Sequence, residues 1–180
     1  AWDVARNWSW KEDYPSNYSD TLINKYLGTD YRIAAGMEYR VLDDNIGYIR
    51  CESFSSAAGE GNLDEIMLFL APCNGLIIDL RNNSGGMLTA SEKLAARFTN
   101  KEICVGYMQH KTGPGHNDFS DMVEQRLKPS TGLRWQKRVV VLTNRAVYSA
   151  ANEFVKYMKC CPGVTVVGDK TGGGAGMPYS

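Results

Sequence analysis

No apolar run in this 180-residue chain approaches the roughly 20 residues that a membrane-crossing helix requires. Twenty basic and twenty acidic residues cancel to a formal net charge of zero. That balance removes the electrostatic case for nucleic acid or an anionic membrane as partner. Low-complexity tracts and internal repeats are absent. The five cysteines are odd in number and lack paired C-x-x-C spacing, which argues against a full disulfide framework, a zinc site or a redox motif. Cys51, Cys73 and Cys104 lie in or beside apolar strand-like runs and read as buried thiols. Cys160 and Cys161 are vicinal after a helical pattern. Histidine is scarcer still. His110 and His116 are the only two, with no carboxylate or cysteine at ligand spacing, so neither a metal nor another cofactor is expected. Ala1 is preceded by no initiator methionine and opens no signal peptide, which fits a trimmed chain as well as a cytosolic one. The sequons at Asn7, Asn17 and Asn82 read as chance matches.

What is present is an ordinary globular composition, 43% hydrophobic, long enough for one domain with a good core. Residues 1–45 read as a lead-in plus a first strand. The lead-in holds Trp2, Trp8, Trp10, Tyr14 and Tyr18 without helical or alternating period, which predicts irregular chain packing its rings on the core. Segments 37–41 and 47–51 look like strands around a turn at Asp43-Asp44-Asn45. From residue 46 to 180 a β–α alternation follows. Asn62 or Ser56 is placed to cap a helix carrying Leu63, Ile66, Met67 and Leu70 on one face, ended by Pro72. A buried strand at 76–80 precedes a helix with Met87, Leu88, Ser91, Leu94, Ala95 and Phe98 on one face. Strands at 103–108, 138–142 and 164–167 continue the series. A long polar insertion at 109–137 interrupts it. Ala150, Ala151, Phe154, Val155 and Met158 face inward on the last helix. The alternation predicts an α/β fold with a parallel sheet.

Two runs carry chemistry. Gly75-Leu76-Ile77-Ile78-Asp79-Leu80-Arg81-Asn82-Asn83-Ser84-Gly85-Gly86 ends in two glycines at a strand-to-helix turn. Val139-Val140-Val141-Leu142-Thr143-Asn144-Arg145-Ala146-Val147-Tyr148-Ser149-Ala150 ends in a serine at another. Free backbone N–H groups and a hydroxyl are the parts of an oxyanion hole and a nucleophile. Read without further context, Ser149 divides evenly between nucleophile and helix N-cap. Gly85 and Gly86, with Ala150, are the candidate oxyanion donors, glycine being needed where substrate backbone must approach. A plain turn would favour glycine too. Asp79 and Arg81 read as a structural ion pair. Glu153, one turn beyond Ser149, reads as a solvated helix charge or as an orienting group. His110 and His116 read as surface-loop residues. Gly172 to Gly176 lacks the lysine-serine ending and following helix of a phosphate loop.

Together the two runs resemble the C-terminal (tail-specific) processing proteases and their relatives, tricorn core protease and the interphotoreceptor retinoid-binding proteins. The first resembles that family's Asp-Leu-Arg-Asn-x-x-Gly-Gly signature, the second its nucleophile segment. Val166-Val167-Gly168-Asp169-Lys170-Thr171-Gly172-Gly173-Gly174 resembles its Gly-Glu-Lys-Thr-x-Gly-Lys-Gly element. The resemblance spans roughly residues 45–179. It implies an incomplete domain of the ClpP/crotonase-like superhelical ββα fold, with Ser149 as nucleophile. The departure is at Gly174, where the bacterial processing branch carries a lysine base. Lys170 aligns with the other lysine. The tricorn-like branch uses a histidine before the core and a glutamate after the nucleophile, which would place the base before Ala1. The resemblance therefore implies a serine endopeptidase core acting on extended polypeptide, with its base outside the chain. It also implies export to the periplasm or outer surface of a bacterium. The retinoid-binding relatives keep open a non-catalytic module for a peptide or hydrophobic ligand, and a crotonase-like acyl-CoA enzyme is a third reading.

Overall fold

Short polar residues break the chain between its first strands. The computed structural model describes residues 15–174. It opens with α1 (Asp20–Leu27), β1 (Arg32–Ala34), β2 (Met37–Leu42) and β3 (Ile46–Arg50). The β2–β3 turn is Asp43–Asn45, where Asp44 and Asn45 adopt left-handed backbone at φ 60° and 58°. Asp and Asn tolerate that conformation better than other side chains. Then come α2 (Glu60–Leu70), β4 (Gly75–Asp79) and α3 (Leu88–Ala95), which tightens into a 3-10 turn at Ala96–Phe98. The chain continues through β5 (Ile103–Met108), β6 (Val123–Leu127), β7 (Val139–Thr143), α4 (Ala150–Cys160) and β8 (Val164–Gly168).

Six strands form one mixed sheet in the order β1-β2-β3-β4-β7-β8. The β1–β2–β3 meander is antiparallel, and β3, β4, β7 and β8 run parallel. Helices α2 and α4 supply the crossovers β3–α2–β4 and β7–α4–β8, the expected solution for parallel neighbours. Leu63, Ile66, Met67 and Leu70 are the buried stripe of α2, as their spacing predicts. On α4, Ala150, Ala151, Phe154, Val155 and Met158 are buried as predicted, together with Glu153 and Tyr157. Among the described residues no helix is long and apolar enough to cross a membrane.

Four expectations fail for physical reasons. The lead-in is not wholly irregular. Ser19 Oγ accepts the Leu22 N–H, Asp20 opens the helix and Gly28 closes it at φ 77°, so α1 has regular caps. It buries none of its residues, which is why no apolar period marks it. Tyr18 packs between the guanidinium groups of Arg50 and Arg81, 4.5 and 5.1 Å from its ring centre. Trp2, Trp8, Trp10, Tyr14 and the Asn7 sequon lie outside the described residues. The strand at 103–108 exists but leaves the main sheet and pairs with β6 in a separate antiparallel hairpin. Only Val105 on it is buried, and Gly106 interrupts its apolar run. A central parallel strand is buried on both faces, as valine-rich β7 nearly is. The insertion 109–137 accordingly contains β6, and its end is fastened by Arg97. That side chain is fully buried, donates to Leu133 O at 2.8 Å and pairs with Glu60 at 2.5 Å and with Asp64. Cap and face assignments also shift. The N-cap of α2 is Gly59 rather than Asn62 or Ser56, and Met87 and Leu88 are exposed.

The thiols test this packing. Cys51, Cys73 and Cys161 are buried, whereas Cys104, expected inside, is exposed with Cys160. Burial pushes the Cys51 thiol up to about 12 and that of Cys161 to about 11. Ellman's reagent at about pH 8 should therefore find two fast thiols in the native protein and three more after denaturation. A larger fast count would contradict the core. Because folding favours the neutral thiols, their stabilisation is whole below the ordinary value of 9.0. It is lost as pH climbs through the folded values, so the Tm should fall over that alkaline window.

Candidate active site

Parallel strands send their following turns to the same end of a sheet. β4 lies beside β7 with Asp79 opposite Leu142. The 80–86 and 144–149 turns therefore meet although the sequence separates them widely. Ser149 has φ 54° and ψ −125°, a region that non-glycine residues enter only where surrounding structure holds them. Its own N–H donates to Gly173 O at 2.9 Å, and the preceding Tyr148 N–H donates to Asn83 O at 3.0 Å. Ser149 occupies the N-cap position of α4, yet its side chain makes no capping hydrogen bond. Its Oγ has no hydrogen-bond partner among the described residues. A conventional cap would hold that oxygen against the N2 or N3 amide. Here the backbone turns it away.

The glycine turn is in van der Waals contact with this serine. At Gly85 (φ 108°) a Cβ would lie 2.7 Å from Ser149 Cβ, 2.8 Å from Tyr148 O and 3.0 Å from Ala150 N. At Gly86 (φ 139°) it would overlap the Phe54 backbone and come within 2.6 Å of Ser55 N. Glycine is thus required by the Tyr148–Ala150 turn and by the 54–55 chain, a closer constraint than approach of a substrate. The expected set of oxyanion donors changes as well. Gly85 N–H is not free: it donates to Asn83 Oδ1 at 2.8 Å. The Asn83 side chain is buried, and its amide nitrogen is in turn held by Cys51 O at 2.9 Å. Gly86 and Ala150 keep N–H groups without a partner among the described residues.

Beneath the turns lies a charge network. Asp79 is fully buried and accepts from Arg81 Nε at 2.9 Å, Arg81 Nη2 at 2.6 Å, the Arg81 N–H at 3.0 Å and Tyr48 Oη at 2.9 Å. Burial, then the Asp79 charge, pushes the Tyr48 phenol well above its ordinary value. Hydrogen bonding to Asp79 raises Arg81. Asp79 and Arg81 therefore form the structural pair that the sequence suggests. Glu153 differs from its reading as a solvated charge. It is buried and paired with Lys156 Nζ at 2.5 Å. The lysine three residues on was the available signal. Burial, then the Glu153 charge, pushes Tyr157 up to about 12.

Candidate bases within the chain are poorly situated. His110 and His116 are exposed on the β5–β6 hairpin, and Lys170 is exposed after β8. None is hydrogen-bonded to Ser149 among the described residues. Gly174 (φ 79°) lies under the Tyr148 ring, where a Cβ would come within 2.6 and 2.7 Å of two ring carbons. No side chain fits at 174 while Tyr148 keeps its place. Two surface clefts of ≈ 370 Å³ have linings that include neither Ser149 nor the glycine turn.

The sequence pattern described as Peptidase family S41 matches residues 45–179. The carboxy-terminal processing protease CtpA of Bacillus subtilis (strain 168) is 27% identical over 132 residues, which are 73% of this chain and 26% of that protein. A Parabacteroides merdae ATCC 43184 crystal structure, of a chain described as a candidate peptidase, is 50% identical with a TM-score of 0.90. The match covers 96% of this chain and 55% of that one. The photosystem II D1 C-terminal processing protease shares the fold at a TM-score of 0.53 and 22% identity, over 72% of this chain and 31% of its own. This chain thus spans about a quarter of CtpA and about half of the Parabacteroides protein.

Two glycine substitutions should separate the site's steric demand from ordinary glycine cost. Gly85→Ala should destabilise by roughly 2–3 kcal/mol, the scale of a strained backbone residue. Gly61, in α2, has open space around its Cβ position, so Gly61→Ala should stabilise by up to about 1 kcal/mol. Urea midpoints measure both, and equal effects at the two positions would contradict the close contact of the turns.

Proposed function

This chain belongs to peptidase family S41, and from that premise we propose that it is the core of a serine endopeptidase acting on extended polypeptides. The observation that carries the reading is Ser149 itself. Its backbone at φ 54° leaves Oγ uncapped, and its Cβ packs against the Gly85 position. In the proposed reaction Ser149 Oγ attacks a peptide carbonyl and passes its proton to a base. The tetrahedral oxyanion receives hydrogen bonds from the Gly86 and Ala150 N–H groups, each such donor contributing on the order of 3 kcal/mol to barrier lowering. The C–N bond breaks, the amine leaves with the proton, and water hydrolyses the acyl-enzyme. Gly85 contributes closeness rather than a donor.

The base is proposed to come from sequence outside residues 1–180, as a histidine before the core oriented by a glutamate after it. The filled space above Gly174 supports that choice over a lysine at 174. Substrate would lie as an added strand against a sheet edge, with main-chain hydrogen bonds supplying affinity. Export to the periplasm or outer surface of a bacterium is proposed on the resemblance to the processing proteases.

In the full-length protein, Ser149→Ala should reduce cleavage of an unfolded protein substrate by roughly 10³-fold or more. Because Ser149 does not cap α4, stability should change by less than about 1 kcal/mol. A fluorophosphonate should label wild type and not the variant. Unaltered proteolysis by Ser149→Ala would refute Ser149 as the nucleophile, whereas an inactive and unlabelled full-length wild type would refute the peptidase reading in favour of a binding module. Residues 1–180 alone should be hydrolytically inert. Robust Ser149-dependent cleavage by that fragment would instead locate a base within it.

A further inference from the structure

Two side chains on the facing turns hold each other, and neither belongs to the proposed reaction. Asn144 follows β7 and is 7% exposed. Its Oδ1 accepts the Asn82 N–H at 3.0 Å and the Ala146 N–H at 3.2 Å. Its Nδ2 donates to Asn82 Oδ1 at 2.7 Å. Asn82 stands at φ 67°, a left-handed conformation that turns its N–H and its side chain toward the same neighbour. The bond pair is reciprocal: each asparagine gives one hydrogen to the other. Asn83, next along, receives the Tyr148 N–H on its carbonyl and fixes Gly85 through its side chain. From Asn82 to Gly86 is four residues, and from Asn144 to Ser149 is five. The clamp therefore ties the base of the donor turn to the base of the nucleophile turn.

We propose that Asn82 and Asn144 are positioning residues that set the distance between the Gly86 donor and the Ser149–Ala150 turn. The inference rests on the peptidase reading above. The parallel β4–β7 ladder ends with Asp79 and Leu142, apart from the Leu80 N–H to Leu142 O bond at 3.0 Å. Beyond that point the turns are held by side chains and by the single Tyr148–Asn83 backbone bond. Misplacing donors by a fraction of an ångström slows the step in which the oxyanion forms and leaves remote substrate contacts intact. The loss should therefore appear in kcat and not in KM.

The test uses three versions of the full-length protein: wild type, Asn82→Gly and Asn82→Asp. Glycine tolerates φ 67° and removes the acceptor that Asn144 Nδ2 needs. Aspartate keeps an acceptor at the same place. Asn82→Gly should lower kcat by about 10- to 100-fold with KM within about twofold. Asn82→Asp should return kcat to within about threefold of wild type. Thermal unfolding is read alongside, because Asn82 is solvent-exposed and its truncation leaves the core untouched. Wild-type kcat in a folded Asn82→Gly would overturn the proposal, as would equal losses in the Gly and Asp variants. A loss that appears only in KM would overturn it too. Should Asn82→Gly fail to fold, Asn82→Asp decides alone: a fall of more than about tenfold in its kcat overturns the proposal. Fluorophosphonate labelling of wild type at Ser149 is the control. Labelled and active wild type with indifferent variants removes the clamp alone, whereas inactive and unlabelled wild type removes the peptidase reading beneath it.

Discussion

Everything proposed for this chain depends on one adjacency, the parallel pairing of β4 with β7. The two strands are separated in sequence by α3 and the β5–β6 hairpin, yet they hydrogen-bond side by side in the middle of the sheet. Parallel direction brings their carboxyl ends level. Level ends bring a glycine turn and a serine turn into contact. An antiparallel β7 would carry the serine to the far end of the sheet with every local residue unchanged. Ligand sites in open α/β sheets commonly lie outside the carboxyl ends of strands for this reason.

That adjacency was only half legible in the sequence. Buried stripes on α2 and α4 follow from spacing alone, because amphipathic helices leave a strong periodic trace. The valine run of β7 and the isoleucine run of β4 read as buried strands. Which strand sits beside β4 does not follow from local pattern. β5 comes next along the chain and was the natural neighbour, but its burial on one face and Gly106 send it into a hairpin. α1 was hidden for the opposite reason: its caps are regular, but it has no buried face to create a period. Ser149 itself was visible as a residue at a turn. Its backbone conformation, in which the side chain does not cap α4, accompanies the bonds of the 148–149 turn to residues 83 and 173 and so has no local signature. Likewise the engagement of Gly85 by Asn83 depends on a side-chain rotamer inside the turn.

The polar interior has a division of labour. Asp79, Arg81, Tyr48 and Arg50 are committed to one another under the site, and Arg81 also donates to Asn17 O at 2.6 Å. Asn17 Nδ2 meanwhile donates to Thr143 O at 3.0 Å. The lead-in is thereby fastened across the carboxyl ends of β4 and β7, and Tyr18 fills the gap between two guanidinium groups. Buried carboxylates are tolerable when their lone pairs are this fully occupied. These bonds hold the charged foundation of the site in place beneath the two turns.

Tyr148 and Gly174 are joined by volume, and that has a consequence for what position 174 can carry. A larger residue at 174 collides with the ring, so the two positions are coupled sterically. A side chain introduced at 174 alone would have to displace the ring, at a cost in packing. The pair must change together or through a compensating shift of the 172–174 segment, which is itself tied to Val147 and Ser149 by backbone hydrogen bonds. A tyrosine ring placed as at 148 and an ionisable side chain at 174 are therefore incompatible unless that segment shifts. What position 174 can contribute is thereby limited by volume before its chemistry is considered.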